Sequence, residues 1–163
     1  MDLLIKNVRI ITGDVFAMDA GTGNIGINDG LIEYIGTDTK EAAKIIDGRG
    51  MIAMPGLVNA HTHSPMVLMR NQVTDKPLEK WLEEGIFPID GRLTREHITN
   101  GSMLAAAEMI KSGTTSFLDM YFEVDATADV ALVSGMRANI SLGLLTAHEI
   151  DSDLSKAKAV WNN

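Results

Sequence analysis

Two histidines one residue apart, His61 and His63, are the side chains of this chain whose type and spacing best suit chemistry. They close the run Pro55-Gly56-Leu57-Val58-Asn59-Ala60-His61-Thr62-His63. Read as a strand, that run alternates its side chains, so Leu57, Asn59, His61 and His63 share one face. Neutral imidazoles placed side by side suit a borderline divalent metal such as zinc. A bare His-x-His is more often a pair of solvated or hydrogen-bonded histidines. The preceding Pro-Gly turn, the apolar strand and the βα pattern that follows favour the metal. Cysteine is absent, which removes thiolate ligands, cysteine nucleophiles and disulfides together. His97 falls near the start of an expected outer helix, where a solvated role fits better. His148 follows the third expected strand and reads as a loop histidine.

Other side chains gain interest from the elements that carry them. Asp119 ends an expected strand, where it either orients a histidine by a hydrogen bond or caps the next loop. Trp81 and Met66 suit an apolar wall against a heteroaromatic ring, with ordinary packing as the rival reading for Trp81. Glu83 and Glu84 read as a solvated helix face.

The elements follow from periodicity and turn residues. Residues up to about Met54 read as short strands of an antiparallel unit. Asn28-Asp29-Gly30 separates two apolar runs, and Asp-Gly accepts the positive φ of a tight hairpin. A second Asp-Gly, Asp47-Gly48, separates Lys44-Ile45-Ile46 from Met51-Ile52-Ala53-Met54. After Pro55 the period changes. Leu57 to His63, Thr114 to Met120 and Ala138 to Leu145 read as strands. Thr94 is the expected N-cap of a helix with Ile98, Gly101, Ala105 and Met109 on one face, Lys111 in its last turn and Gly113 as its stop. Asp125 caps a second, through Val130 and Val133 to Gly135. Asp151 or Ser152 caps a third, with Leu154, Ala157 and Trp161 on one side. This βα alternation implies a parallel sheet with the three strands adjacent.

Composition bounds the classes. The 163 residues carry 14 basic and 22 acidic side chains, a net charge of −8. That balance (pI about 4.9) argues against nucleic acid, whose phosphates need clustered Lys and Arg. Hydrophobic residues at 45% and charged residues at 22% describe a globular chain rather than a disordered one. No apolar run approaches the ~18 residues of a membrane span, and the N-terminus lacks a signal-peptide pattern. The expected location is cytoplasmic.

Several ordered motifs together resemble the amidohydrolase superfamily, in its branch of 5'-methylthioadenosine/S-adenosylhomocysteine deaminases and chlorohydrolases. They are His61-Thr62-His63-Ser64-Pro65-Met66, Leu78-Glu79-Lys80-Trp81-Leu82 with Ile86-Phe87-Pro88, Ala107 to Thr115, Asp119-Met120-Tyr121-Phe122 and Gly135-Met136-Arg137-Ala138. The resemblance implies an α/β fold: the N-terminal part of a metal-dependent (β/α)8 TIM barrel, with residues 56–163 as its first three βα units. Residues 1–55 would be the N-terminal part of a small β-sandwich. It also implies one divalent metal, zinc or iron, that activates water against an amino- or chloro-bearing ring carbon of a small heterocyclic substrate. Asp90 stands where the nucleoside deaminases carry a Glu that meets ribose hydroxyls, and its shorter side chain requires a closer approach. Leu142 stands where many carry an Arg, and it cannot pair a carboxylate.

The same resemblance leaves the site incomplete. Its further metal ligands, a His on the fifth strand and an Asp on the eighth, and its acid/base residues lie on strands beyond the first three. A barrel typically needs ~250 residues. The expected catalytic complement within these residues is therefore none, with weak zinc binding and no deamination by the isolated chain. The competing expectation is a half-barrel module without catalysis. Either way the open sheet calls for self-association or a complementary C-terminal portion.

Overall fold

The computed structural model describes residues 1–14, 16 and 18–143, so His148 and the third expected helix lie outside the described residues. The chain divides into two compact units, Met1–Pro55 and Gly56–Asn163.

The first unit is one sheet built from β1 (Leu3–Ile11), β2 (Asp19–Asn28), β3 (Leu31–Gly36), β4 (Lys44–Asp47) and β5 (Ile52–Ala53). Its order is β3-β2-β1-β4, with β5 also on β1. Asp29 and Gly30, at φ 48° and 75°, make the expected two-residue turn between β2 and β3. The second Asp-Gly does something else. β4 and β5 do not pair with each other; both run parallel to β1, against Leu3–Lys6 and Arg9–Ile10. The expected antiparallel unit is therefore a mixed sheet. Gly48 donates its N–H to the Lys6 carbonyl, and a Cβ there would fall 2.7 Å from Val8 Cβ. The turn thus lies against β1 and passes the chain along that strand instead of folding it back. Val8, Ile10 and Ile25 form the core of this unit.

The second unit places β6 (Leu57–Thr62), β7 (Thr114–Tyr121) and β8 (Arg137–Leu142) in a parallel sheet in that order, as the sequence implies. A 3-10 helix (Ser64–Met69) follows β6. Then come α1 (Leu78–Trp81), a π-helical turn (Leu82–Ile86) and α2 (Phe87–Asp90). α3 (Arg95–Lys111) connects to β7, and α4 (Val124–Ser134) connects β7 to β8.

α3 matches its sequence signals closely. Thr94 caps it, and His97 closes a capping box by accepting the Thr94 N–H at its Nδ1, 3.1 Å away. His97 is thereby a structural residue of the helix start. Ile98, Gly101, Ala105 and Met109 are all buried, and Gly113 at φ 84° ends the helix. A Cβ on Gly101 would fall 2.6 Å from the Pro65 carbonyl oxygen, so glycine lets α3 lie directly on the 3-10 helix. α4 starts two residues earlier than expected. Its N-cap is Glu123, in the left-handed region at φ 49°, and Asp125 sits in the first turn with its carboxylate on Arg95 of α3. Ala105, Ala106, Met109, Phe117, Val130, Ala131 and Met136 form the core between sheet and helices.

Candidate functional site

β6 delivers the two histidines. The β6–β7 register shifts between Asn59 and Thr62, so strict alternation breaks near the strand end. Asn59 turns its amide toward Met109 Sδ on α3 (3.7 Å) while its Oδ1 accepts the His61 N–H at 3.3 Å. His61 and His63 nonetheless converge. Their Nε2 atoms stand 3.3 Å apart, with ring centroids 5.1 Å apart and planes at 84°.

The His63 ring is fixed by its other nitrogen. Nδ1 lies 2.6 Å from the Met120 carbonyl oxygen on β7. A carbonyl only accepts, so Nδ1 carries the proton and Nε2 of the neutral ring presents a lone pair toward His61. Two such nitrogens suit a shared cation. Two ligands at about 2.05 Å from a tetrahedral zinc stand about 3.3 Å apart, which is the separation seen here. The residues present therefore fit two positions of a metal site. Among the described residues no third His, Cys, Asp or Glu joins them.

The tip of β7 organises the surroundings through three consecutive residues. Asp119 is fully buried and accepts hydrogen bonds from the N–H and hydroxyl of Ser64, the residue after His63. The Ser64 hydroxyl lies 3.2 Å from Ser102 Oγ, which in turn lies 3.3 Å from Thr127 Oγ1. All four side chains are buried and none is left without a partner. Burial pushes the Asp119 carboxyl above the usual carboxylate range, against the opposing pull of its Ser64 hydrogen bonds. Asp119 thus acts on the histidines through the backbone that follows them, not by touching an imidazole. Met120 supplies the carbonyl that holds His63. Tyr121 donates its hydroxyl hydrogen to the Asp90 carboxylate at the end of α2. Asp90 is half-buried, and burial raises its carboxyl above the ordinary value; burial, and then Asp90 itself, likewise raise the Tyr121 phenol.

The expected apolar wall divides. Met66 packs with Leu93 against the cluster of Ile98, Tyr121 and Ala126, and so borders the Tyr121 side of the site. Trp81 is half-buried and donates its indole Nε1–H to the Val73 carbonyl at 3.1 Å, tying its helix to the preceding loop. Glu84 pairs with Lys76 at 2.6 Å on an exposed face. Ser64, Ser102, Thr127, Met120 and Tyr121 were not among the sequence candidates. Small hydroxyl residues far apart in the chain, and a backbone carbonyl, give no local signal.

Parallel βα units with paired imidazoles at the C-terminal end of the first strand define a class: a barrel-type α/β protein with candidate metal ligands where such folds place their sites. Residues 52–163 match the family model described as "Amidohydrolase family", and the chain belongs to that family. It is 46% identical over 161 residues to the 5'-deoxyadenosine deaminase of Methanosarcina mazei, covering 96% of this chain and 37% of that protein. It is 46% identical over 150 residues to the 5-methylthioadenosine/S-adenosylhomocysteine deaminase of Moorella thermoacetica, covering 88% and 34%. The structure superposes with a TM-score of 0.77 on the atrazine chlorohydrolase of Arthrobacter aurescens TC1 complexed with zinc, at 28% identity, over 86% of this chain and 35% of that one. The chain spans little more than a third of the curated relatives it matches. No helix among the described residues is long and apolar enough to cross a membrane.

Proposed function

We propose that this chain is the N-terminal part of a metal-dependent hydrolase that deaminates, or dechlorinates, a small N-heterocycle such as an adenosine derivative. The observation that carries the reading is the convergence of His61 and His63 Nε2 at the separation of two ligands on one tetrahedral ion. Zinc is the metal of choice, with iron as the alternative. When bound, such an ion lowers the pKa of water and supplies a nucleophile at neutral pH.

The chain's own residues do the rest of what these βα units contribute. Met120 fixes the tautomer and plane of His63, and Asp119 fixes the turn after it. Asp90 accepts from a sugar hydroxyl, and Met66 contributes apolar surface beside the ring, while Trp81 anchors its helix to the preceding loop. Two imidazoles do not complete a hydrolytic zinc site, which takes three or four protein ligands. The remaining ligands and the proton-transferring groups come from a complementary portion outside these residues. The relatives' names support an adenosine-type substrate.

A segment exchange tests this reading. Residues 1–163 replace the matching segment of the Methanosarcina mazei relative, and ammonia release from 5'-deoxyadenosine is followed with zinc present. The exchanged protein turns over and His61→Ala abolishes turnover, while the 163-residue chain alone releases none. A folded, zinc-loaded exchange protein without turnover on any adenosine derivative would instead favour the half-barrel module.

A further inference from the structure

The tip of β7 spends each of three successive residues on a different part of the site. Asp119 holds the backbone after His63, Met120 holds the His63 ring, and Tyr121 holds Asp90. The first two act on the metal ligands. The third acts on a carboxylate carried by another element, and nothing in the expected chemistry assigned it.

Tyr121 is well suited to hold something still. Its ring is 6% exposed, packs with Ile98 and Ala126, and lies 6.4 Å from the His63 ring. A packed aromatic ring leaves its hydroxyl one short arc in which to point. Asp90 closes α2 directly after a π-helical turn, a local irregularity that recurs at functional sites. A carboxylate offers about four acceptor positions, so the bond from Tyr121 orients the group and leaves acceptor capacity toward the site. Met120 and Tyr121 are adjacent, so one peptide unit of β7 links the anchor of His63 to the anchor of Asp90.

We propose that Tyr121 is a positioning residue: it holds the Asp90 carboxyl in the orientation that accepts from a substrate hydroxyl, at a distance from His63 set by β7. This rests on the adenosine reading for the identity of the hydroxyl, though not for the positioning itself. Tyr121 also determines specificity, because an Asp reaches less far than a Glu and tolerates less rotation before a hydroxyl is lost.

The test uses the exchange protein described above, stripped of metal so that it binds without turnover, and its variants Tyr121→Phe, Asp90→Asn and the double variant. Urea denaturation closes a double-mutant cycle. Positioning predicts non-additivity of about tenfold in the unfolding constant, the size of one hydrogen bond to a carboxyl group. Equilibrium dialysis then compares adenosine with 2',3'-dideoxyadenosine. The wild type prefers adenosine by about tenfold, Tyr121→Phe loses most of that preference without weaker binding of the dideoxy compound, and Asp90→Asn loses it equally. A merely structural tyrosine would weaken both nucleosides alike. If Tyr121→Phe does not fold, Asp90→Asn read alone keeps the proposal falsifiable: an adenosine preference retained in that variant overturns it. An additive cycle overturns it whether or not a nucleoside binds. A coupled cycle with neither nucleoside bound by the wild type upholds the positioning of Asp90 and overturns the adenosine reading instead.

Discussion

The floor and the mouth of the site are built on opposite terms. At the floor, Ser64, Ser102, Asp119 and Thr127 are each at most 3% exposed, and each side chain finds its hydrogen bond inside the chain. At the mouth, His61 is exposed and shares with His63 a pair of nitrogens that face each other with no protein group between them. A satisfied buried network fixes structure, because breaking it strands polar groups without water. Two imidazole nitrogens brought together at the surface, one of them with its tautomer fixed by Met120, have the spacing of two ligands on one ion. The difference implies that floor substitutions are read in stability and mouth substitutions in metal affinity.

The largest effect should come from Asp119→Ala. It leaves the Ser64 N–H and hydroxyl buried without their acceptor, at a cost of about 3 kcal/mol by urea denaturation. Loss of zinc affinity without loss of stability would collapse the distinction between floor and mouth. Gly101→Ala should follow at about 2 kcal/mol, since the new Cβ meets the Pro65 backbone and must push α3 off the 3-10 helix. A thermal midpoint unchanged in that variant would show that the floor is not packed as described.

A pH profile sharpens the same contrast. Burial holds the Asp119 and Asp90 carboxyls above the ordinary 3.8. Each therefore keeps its proton in the folded state at pH values where the unfolded chain has released it. Their contribution to stability is full below the ordinary value and is lost as pH rises through the raised folded values. Asp119→Asn removes the floor's share of that slope, measurable as a flatter dependence of the denaturation midpoint on pH above the ordinary carboxylate value of 3.8. The smallest effect on stability belongs to His61→Ala, within about 0.5 kcal/mol of wild type because the ring is exposed, while zinc binding is lost.

How much of this was legible in the sequence follows the same divide. Signals that act locally were readable: the Asp29-Gly30 hairpin, the Thr94 cap, the Gly113 stop and a His-x-His pair at a strand end, with His63 one residue past it. The order of β6, β7 and β8 was readable too, because parallel neighbours joined by helical crossovers leave few alternatives. What failed depended on distant partners. Asp47-Gly48 carries the same local signal as Asp29-Gly30, yet β1 captures both flanking segments in parallel. The N-cap of α4 is Glu123 rather than Asp125, and both carboxylates, with that of Asp129, lie on Arg95 of another helix. For Asp119 the sequence leaves open orienting a histidine or capping the next loop, and its partner is Ser64, the residue after His63. The ring itself is held by a main-chain carbonyl, which every residue possesses and no sequence pattern marks.

The central claim, that His61 and His63 hold one ion between their Nε2 atoms, is tested most directly by nitrogen NMR of histidine-labelled chain during zinc titration. The Nε2 resonances of His61 and His63 should shift together and saturate at one zinc per chain. His63 Nδ1 should keep its proton on Met120, and His97, engaged in its capping box, should not respond. Movement of only one of the two Nε2 resonances, or a zinc response that survives His61→Ala, would contradict the account.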